Sequence, residues 1–230
     1  MALKKICFIS PKFSSHIGGM ETHAIEFVRY FSRSKNYQLD RVFTRKIVDD
    51  GVPAPPNSVA SKFSSIVKPI LGGNFEEDAQ NIIHNSSGIA DIYYLNSPTW
   101  LPAVVILKKK HPQIKIIIRS GGNDIVAGWI GSEKDSLQSL EDARKYLTNL
   151  INQYVDKMIV NSQYSLKRTI SMGVNPEKLI VISGGVDCNN FKPIFSSKKF
   201  INKKLEIVTA ARLVKFKGFE YSLKAVKEVV

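Results

Sequence analysis

Residues 5–32 read KICFISPKFSSHIGGMETHAIEFVRYFS, and this stretch decides the fold. An apolar run over Lys5–Ser10 ends at a proline, which predicts a buried parallel strand. A loop with a pair of glycines follows, and Met20–Ser32 then carries apolar residues at helical spacing, which predicts an amphipathic helix. The stretch is therefore a strand–loop–helix unit, from which parallel sheets are built.

The same alternation continues along the chain. Further strands are predicted at Leu39–Thr44, Asp91–Leu95, Ile114–Arg119, Lys157–Asn161 and Lys178–Ser183. Helices are predicted over Lys62–Leu71, Glu76–His84, from Pro98 to the lysine run at 108–110, Ser136–Asn152 and Gln163–Ser171. Alternation at this spacing predicts an α/β fold with a Rossmann-like, doubly wound parallel sheet and right-handed crossovers.

The pattern restarts near the end of the chain. A strand is predicted over Leu205–Ala211 and, after a basic loop, a helix over Phe219–Val230. The sequence therefore predicts two domains: residues 1–195 form the first, and residues 196–230 form a linker and the first strand–loop–helix of an incomplete second Rossmann-like domain. Because such a unit cannot bury a core alone, it either docks on the first domain or begins a larger one.

Composition limits the classes of function. The chain is 43% hydrophobic and 23% charged, as expected of a globular protein rather than a disordered one. Its formal net charge of +13 fits a solvated basic surface, an anionic membrane or phosphorylated substrate, or nucleic acid. The lysine runs are scattered and not interleaved with aromatic residues, and no helix-turn-helix, finger or RNP motif occurs, so no nucleic-acid partner is expected.

Cysteine and histidine usage predicts the compartment and argues against a metal. Cys7 and Cys188 are far apart and form no CxxC pair, which favours a reducing compartment. No signal peptide or membrane-spanning run is recognisable, so we expect a cytoplasmic protein, with peripheral attachment to the inner face of the cell membrane as an option. His16 and His23 have no partners at metal-ligand spacing, so no metal cofactor is expected.

Two glycine loops follow predicted strands. Gly18 and Gly19 come after the first strand, and Gly121 and Gly122 come after the strand Ile114–Arg119. Ligands of doubly wound sheets bind beyond the carboxyl ends of the strands, where both loops fall. Backbone amides at the first glycine pair and the positive end of the next helix suit a phosphate or diphosphate. A tight structural turn remains the alternative.

Arg212 and Lys217 flank the loop after the restarted strand. An arginine and a lysine that converge near a helix N-terminus can bind a diphosphate and stabilise its charge as a leaving group. The alternative is a pair of solvated surface charges.

Three stretches occur in an order that resembles glycosyltransferase family 4, whose architecture is GT-B. The first is GGMETH at residues 18–23, similar to the family's Gly-Gly-x-Glu helix start. The second contains VDKMIVNS at 155–162, GVNPEKL at 173–179, GGVD at 184–187 and FKP at 191–193. The third is ARLVKFKG at 211–218, similar to the family's Gly-Arg-Leu-x-x-x-Lys-Gly.

The resemblance implies retaining transfer of a hexose-type sugar from a nucleotide-sugar to a polysaccharide or lipid-linked acceptor, without a metal. Residues 1–195 would hold the acceptor, and the second domain would hold the donor. The implied donor-diphosphate residues are Gly18, Gly19, Arg212 and Lys217. The implied acceptor-side residues are Glu21, Ser120, Gly121, Gly122, Asn123 and Asp124. No catalytic residue is assigned, because many members have a histidine where this chain has Arg119–Gly122.

The family's paired glutamates, which lie further along its second domain, are absent from these 230 residues. We therefore expect little transferase activity from this chain alone. Two alternatives stay open: a non-catalytic module that binds glycans or phospholipids, and one subunit of a split transferase with a separate donor-domain chain. A sugar-nucleotide epimerase of the same architecture is disfavoured by the Gly-Gly-x-Glu helix start.

Overall fold

The computed structural model describes residues 3–10, 19–43, 75–86, 88–121, 137–192, 207–211, 213 and 217–229. The strands are β1 (Lys4–Ser10), β2 (Tyr37–Phe43), β3 (Ile92–Leu95), β4 (Lys115–Arg119), β5 (Lys157–Val160) and β6 (Leu179–Val181). The helices are α1 (Gly19–Phe31), α2 (Phe75–Asn85), α3 (Leu101–Lys110), α4 (Leu137–Tyr154), α5 (Gln163–Ser171) and α6 (Phe219–Val229).

All strand pairs in the sheet are parallel, and the strand order is β2-β1-β3-β4-β5-β6. The chain winds from β1 to β2 on one side and then crosses β1 to add β3 and the later strands on the other. The order therefore reverses between β1 and β3, and ligands of open α/β sheets bind beside this switch point, beyond the carboxyl ends of the strands. The predicted Rossmann-like α/β sheet is confirmed.

Both faces of the sheet are covered, which explains why its strands read as nearly continuous apolar runs. On one face, strand residues such as Ile9, Leu95 and Ile118 pack with residues of α2, α3, α4 and α5. On the other face, Phe8 and Tyr94 pack with residues of α1. Side chains of a strand alternate between faces, so odd and even positions of β1 and β3 belong to different core clusters.

Salt bridges hold the amino edge of the sheet, where the strands begin. The Asp156 carboxylate precedes β5 and accepts hydrogen bonds from Lys115 Nζ at 2.9 Å and the Ile116 amide at 2.9 Å. Lys108 Nζ, at the end of α3, lies 3.4 Å from the same carboxylate and also donates to the Ile114 carbonyl. Burial alone would raise the pKa of Asp156, but these hydrogen bonds and lysine charges hold it below its ordinary value.

The chain divides into two compact units, Met1–Gly184 and Gly185–Val230. In the second unit α6 confirms the predicted helix, but the described residues Ile207–Ala211 form no strand, contrary to the prediction over Leu205–Ala211. A strand needs a partner for its backbone hydrogen bonds, and no described segment pairs with these residues. The predicted helix at Lys62–Leu71 lies outside the described residues, and the domain boundary at 195/196 stays a prediction.

Candidate functional site

A layer of buried polar residues lines the carboxyl edge of the sheet. Ser10 ends β1, Asn96 and Ser97 follow β3, and Ser120 follows β4, and each is at most 4% exposed. The Asn96 side-chain amide donates to Ser10 Oγ at 3.3 Å, across the point where the strand order reverses. Buried hydroxyl and amide groups need hydrogen-bond partners. Together these residues form a polar layer at the carboxyl edge, next to the apolar core of the sheet.

The next strand end holds the second glycine loop. Asn161 follows β5, and its side-chain nitrogen donates to the Gly121 carbonyl at 3.4 Å. The Ser165 hydroxyl donates to Asn161 Oδ1 at 2.8 Å, which orients the amide. Ser162 caps α5, since its hydroxyl accepts the Ser165 amide at 3.1 Å. The start of the loop after β4 is therefore tied to the start of α5.

A histidine–tyrosine pair lies on the α1 face of the same edge. His23 of α1 places Nε2 3.1 Å from the hydroxyl oxygen of Tyr94 in β3. Burial, with the nearby charge of Arg119, lowers the pKa of His23 to about 4. Burial raises the pKa of Tyr94 to about 12, although Arg119 acts in the opposite direction. Both side chains are thus neutral around pH 7.

The structure places some of the predicted site residues. Gly19 begins α1, Glu21 lies within α1, and Ser120 and Gly121 follow β4 at the carboxyl edge. Lys217 is exposed in the second unit, just before the start of α6, where Gly218 adopts a φ of +70° and accepts the Tyr221 amide. Gly18, Gly122, Asn123, Asp124 and Arg212 lie outside the described residues. The assigned ligand roles stay predictions.

Five site residues were missed in the sequence analysis: Ser10, Asn96, Ser97, Tyr94 and His23 as a partner of Tyr94. A signal existed for Ser10 and Asn96, because each polar residue directly ends or follows an apolar strand. The pair of His23 with Tyr94 had no such signal, since the two residues are 71 positions apart.

The described residues contain neither a cluster of metal-binding side chains nor a helix that could span a membrane. They hold no group of three or more His, Cys, Asp or Glu side chains that could bind a metal ion. Among the described helices, none combines the length and apolar character required to cross a bilayer.

The sheet order, the flanking helices and the polar carboxyl edge define a Rossmann-like α/β protein of the class found in GT-B glycosyltransferases. The family model for Glycosyltransferase Family 4 matches residues 17–190. The chain therefore belongs to Glycosyltransferase Family 4. Among curated protein sequences none matches significantly.

One of the solved structures that resemble this chain, with a TM-score above 0.5, supports the fold. The sucrose-phosphate synthase of Thermosynechococcus elongatus has a TM-score of 0.55 at 12% identity, over 87% of this chain and 53% of that chain. Anabaena Alr3699/HepE, solved with UDP-glucose, has a TM-score of 0.48 at 18% identity, and the match covers 80% of this chain and 45% of that chain. The lipopolysaccharide outer core galactosyltransferase WaaB has a TM-score of 0.47 at 18% identity, and the match covers 79% of this chain and 46% of that chain. The chain thus spans about half the length of the structures it matches.

Proposed function

We propose that this chain forms the acceptor-side half of a retaining glycosyltransferase that transfers a hexose-type sugar from a nucleotide-sugar to a polysaccharide or lipid-linked acceptor. The observation that carries the proposal is the family match over residues 17–190, which covers β2 to β6 and the polar carboxyl edge apart from Ser10. That edge lies where open α/β sheets bind ligands. No metal is required, because charged side chains and backbone amides stabilise the departing diphosphate.

In this proposal Gly18, Gly19, Arg212 and Lys217 contact the donor diphosphate. Glu21 and the loop at residues 120–124 lie on the acceptor side. A cation that meets the leaving diphosphate contributes more to the transition state than to the ground state, so its loss lowers kcat.

The test uses the gene product that contains these residues, with radiolabelled UDP-glucose and GDP-mannose as donors. Membrane lipids and polysaccharide of the source cell serve as acceptors. We expect label in one acceptor fraction, retention of anomeric configuration by NMR, and the same rate with EDTA. Labelled product from neither donor, together with glycan binding on an array, would favour the non-catalytic module instead.

A matched pair of variants tests the donor assignment. Lys217→Ala is expected to lower transfer about 100-fold, in the range found when one transition-state donor is removed. Lys227→Ala removes the same charge from an exposed position on α6 and is expected to leave transfer unchanged. Equal rates in the two variants would contradict the role of Lys217.

The net charge of +13 supports a second part of the proposal, peripheral attachment to an anionic membrane from the cytoplasmic side. Binding to phosphatidylserine vesicles in a sedimentation assay is expected to exceed binding to phosphatidylcholine vesicles and to weaken in high salt, because salt screens exposed charges. Binding that is absent, or the same at low and high salt, would count against attachment by charge.

A further inference from the structure

Arg119 ends β4 and shares a sheet face with the pair of His23 and Tyr94. Tyr94 is paired in register with Ile117, and Arg119 with Ile159. Both isoleucines pack on the α1 side of the sheet, in the core cluster that contains Tyr94. Side chains of a strand alternate, so Arg119, two residues after Ile117, lies on the same side. The guanidinium is therefore brought to the carboxyl edge beside the hydroxyl and the imidazole.

The charge of Arg119 is not neutralised by its described neighbours. The side chain is half-buried, and no described carboxylate forms an ion pair with it. Arginine keeps its proton at all pH values that proteins tolerate, whereas His23 and Tyr94 are neutral around pH 7. A cation that loses part of its water without gaining a counter-charge is costly, and an anionic ligand would remove that cost.

The side chains beside Arg119 are fixed in place and carry no charge that would compete with a ligand. The hydrogen bond of His23 to Tyr94 fixes both rings, and both also make tilted contacts with the Phe27 ring, at centroid distances of 6.0 Å and 4.3 Å respectively. Neither ring offers a negative charge. The aromatic surroundings also lower the local dielectric constant, which strengthens a charge-assisted hydrogen bond to a ligand.

We propose that Arg119 is the anion-binding residue of an acceptor subsite beside His23 and Tyr94, and that it binds a phosphate or carboxylate group of the acceptor. The planar guanidinium can hold either oxyanion with two parallel hydrogen bonds. The inference rests on the proposed function in assigning the anion to the acceptor. The new element of this inference is that the acceptor is acidic, since a neutral sugar would leave the Arg119 guanidinium without a counter-charge.

The first experiment measures binding directly and needs no transfer activity. Inorganic phosphate, glucuronate and, as the neutral control, glucose are titrated into the protein while the His23 ring protons are followed by NMR. We expect phosphate or glucuronate to shift these signals and to raise the pKa of His23, because a bound anion offsets the charge of Arg119. Response to phosphate indicates a phosphorylated acceptor, and response to glucuronate alone indicates an acidic sugar. Glucose as effective as both anions, or no shift with either anion, would overturn the proposal.

Three variants separate binding from structure. Arg119→Gln is expected to weaken anion binding at least about tenfold, since it removes a charge-assisted pair. Arg119→Lys keeps the charge but loses the planar, paired N–H donors of the guanidinium. Its affinity for the anion is expected to lie between that of Arg119→Gln and that of the wild type. Arg168→Gln removes an arginine of similar partial burial from the last turn of α5, and this variant is expected to bind the anion as the wild type does. Equal weakening by Arg119→Gln and Arg168→Gln would show a general charge effect and overturn the site.

Kinetics test the assignment to the acceptor. In the transfer assay, Arg119→Gln is expected to raise the acceptor KM and leave the donor KM unchanged. Anion binding that depends on Arg119 supports the subsite even if no transfer is observed, which keeps the two proposals distinguishable. Transfer with an unchanged acceptor KM in Arg119→Gln, or with a raised donor KM only, would overturn the assignment.

Discussion

Asp156 at the amino edge of the sheet and Arg119 at the carboxyl edge are both charged and partly buried, but their surroundings differ. Asp156 accepts hydrogen bonds from Lys115 and the Ile116 amide and lies beside Lys108. Arg119 lies near the neutral side chains His23 and Tyr94, and no described carboxylate pairs with it. A charge that the fold itself satisfies stabilises the fold, whereas a charge with neutral neighbours is available to a ligand. The amino edge is thus structural, and the carboxyl edge is the place to look for function.

Removal of the Asp156 carboxylate should have the largest effect on stability. Asp156→Ala leaves Lys115 and the Ile116 amide without this acceptor, and we expect a loss of about 2–3 kcal/mol in the free energy of unfolding, as for other partly buried charged hydrogen bonds. Urea denaturation measures the change. Glu141→Ala is the control, because its pair with Lys145 is exposed and 4.0 Å long and should contribute less than about 0.5 kcal/mol. Similar losses in both variants would remove the distinction between the amino edge and an ordinary surface.

His23 should make the carboxyl edge sensitive to acid. Its pKa is about 4 in the folded protein against 6.5 for the free side chain, so the unfolded chain takes up the proton first. The contribution of neutral His23 to the free energy of unfolding is fully present above pH 6.5 and declines as the pH falls towards 4. Below that pH this contribution changes no further. After allowance for the partial exposure of the ring we expect a loss of about 2 kcal/mol.

The measurement is the free energy of unfolding at about pH 7 and about pH 4.5. His23→Gln should abolish most of the difference between the two values. His84→Gln, which changes an exposed histidine on α2, should retain it. An undiminished acid loss in His23→Gln would mean that other groups cause it.

Ser162 allows a finer test of the comparison between the two edges of the sheet, since it lies at the carboxyl edge but has a structural role. Ser162→Ala removes the cap that accepts the Ser165 amide at 3.1 Å, and we expect a loss of about 1 kcal/mol. Ser171→Ala is the control, because its exposed hydroxyl donates to the Arg168 carbonyl within the last turn of α5. Thermal unfolding compares the two variants, and phosphate binding should be unchanged in both. A Ser162→Ala variant as stable as Ser171→Ala would contradict the capping role.

Much of the fold was predictable from residue patterns. The apolar run and the helical spacing within residues 5–32 predicted β1 and α1 to within one residue at each end. Gln163–Ser171 was predicted with the bounds that α5 has, and in the structure the Ser162 side chain caps its first turn. The strand at Leu205–Ala211 failed because propensity alone cannot supply the neighbour with which a strand forms hydrogen bonds.

The candidate site was only partly predictable. That ligands bind at the carboxyl edge followed from the alternation of strands and helices, and it directed attention to the glycine loops. The contact of His23 with Tyr94 depends on strand order and on the side of the sheet that α1 covers. Neither of these follows from local spacing. From the sequence Arg119 is only a neighbour of the second glycine loop, since its lack of a described carboxylate partner is visible only in three dimensions.

The position of β1 between β2 and β3 also has a consequence for synthesis. Ile6 of β1 pairs with Ile92 of β3, 86 residues later, so this edge of β1 stays unpaired until β3 has left the ribosome. At roughly 5–20 residues per second this lasts several seconds, during which an apolar segment is exposed. Nascent chains that stop before Leu95 should therefore associate with chaperones or aggregate, and release should coincide with the emergence of β3. Early pausing on this message would be more harmful than late pausing.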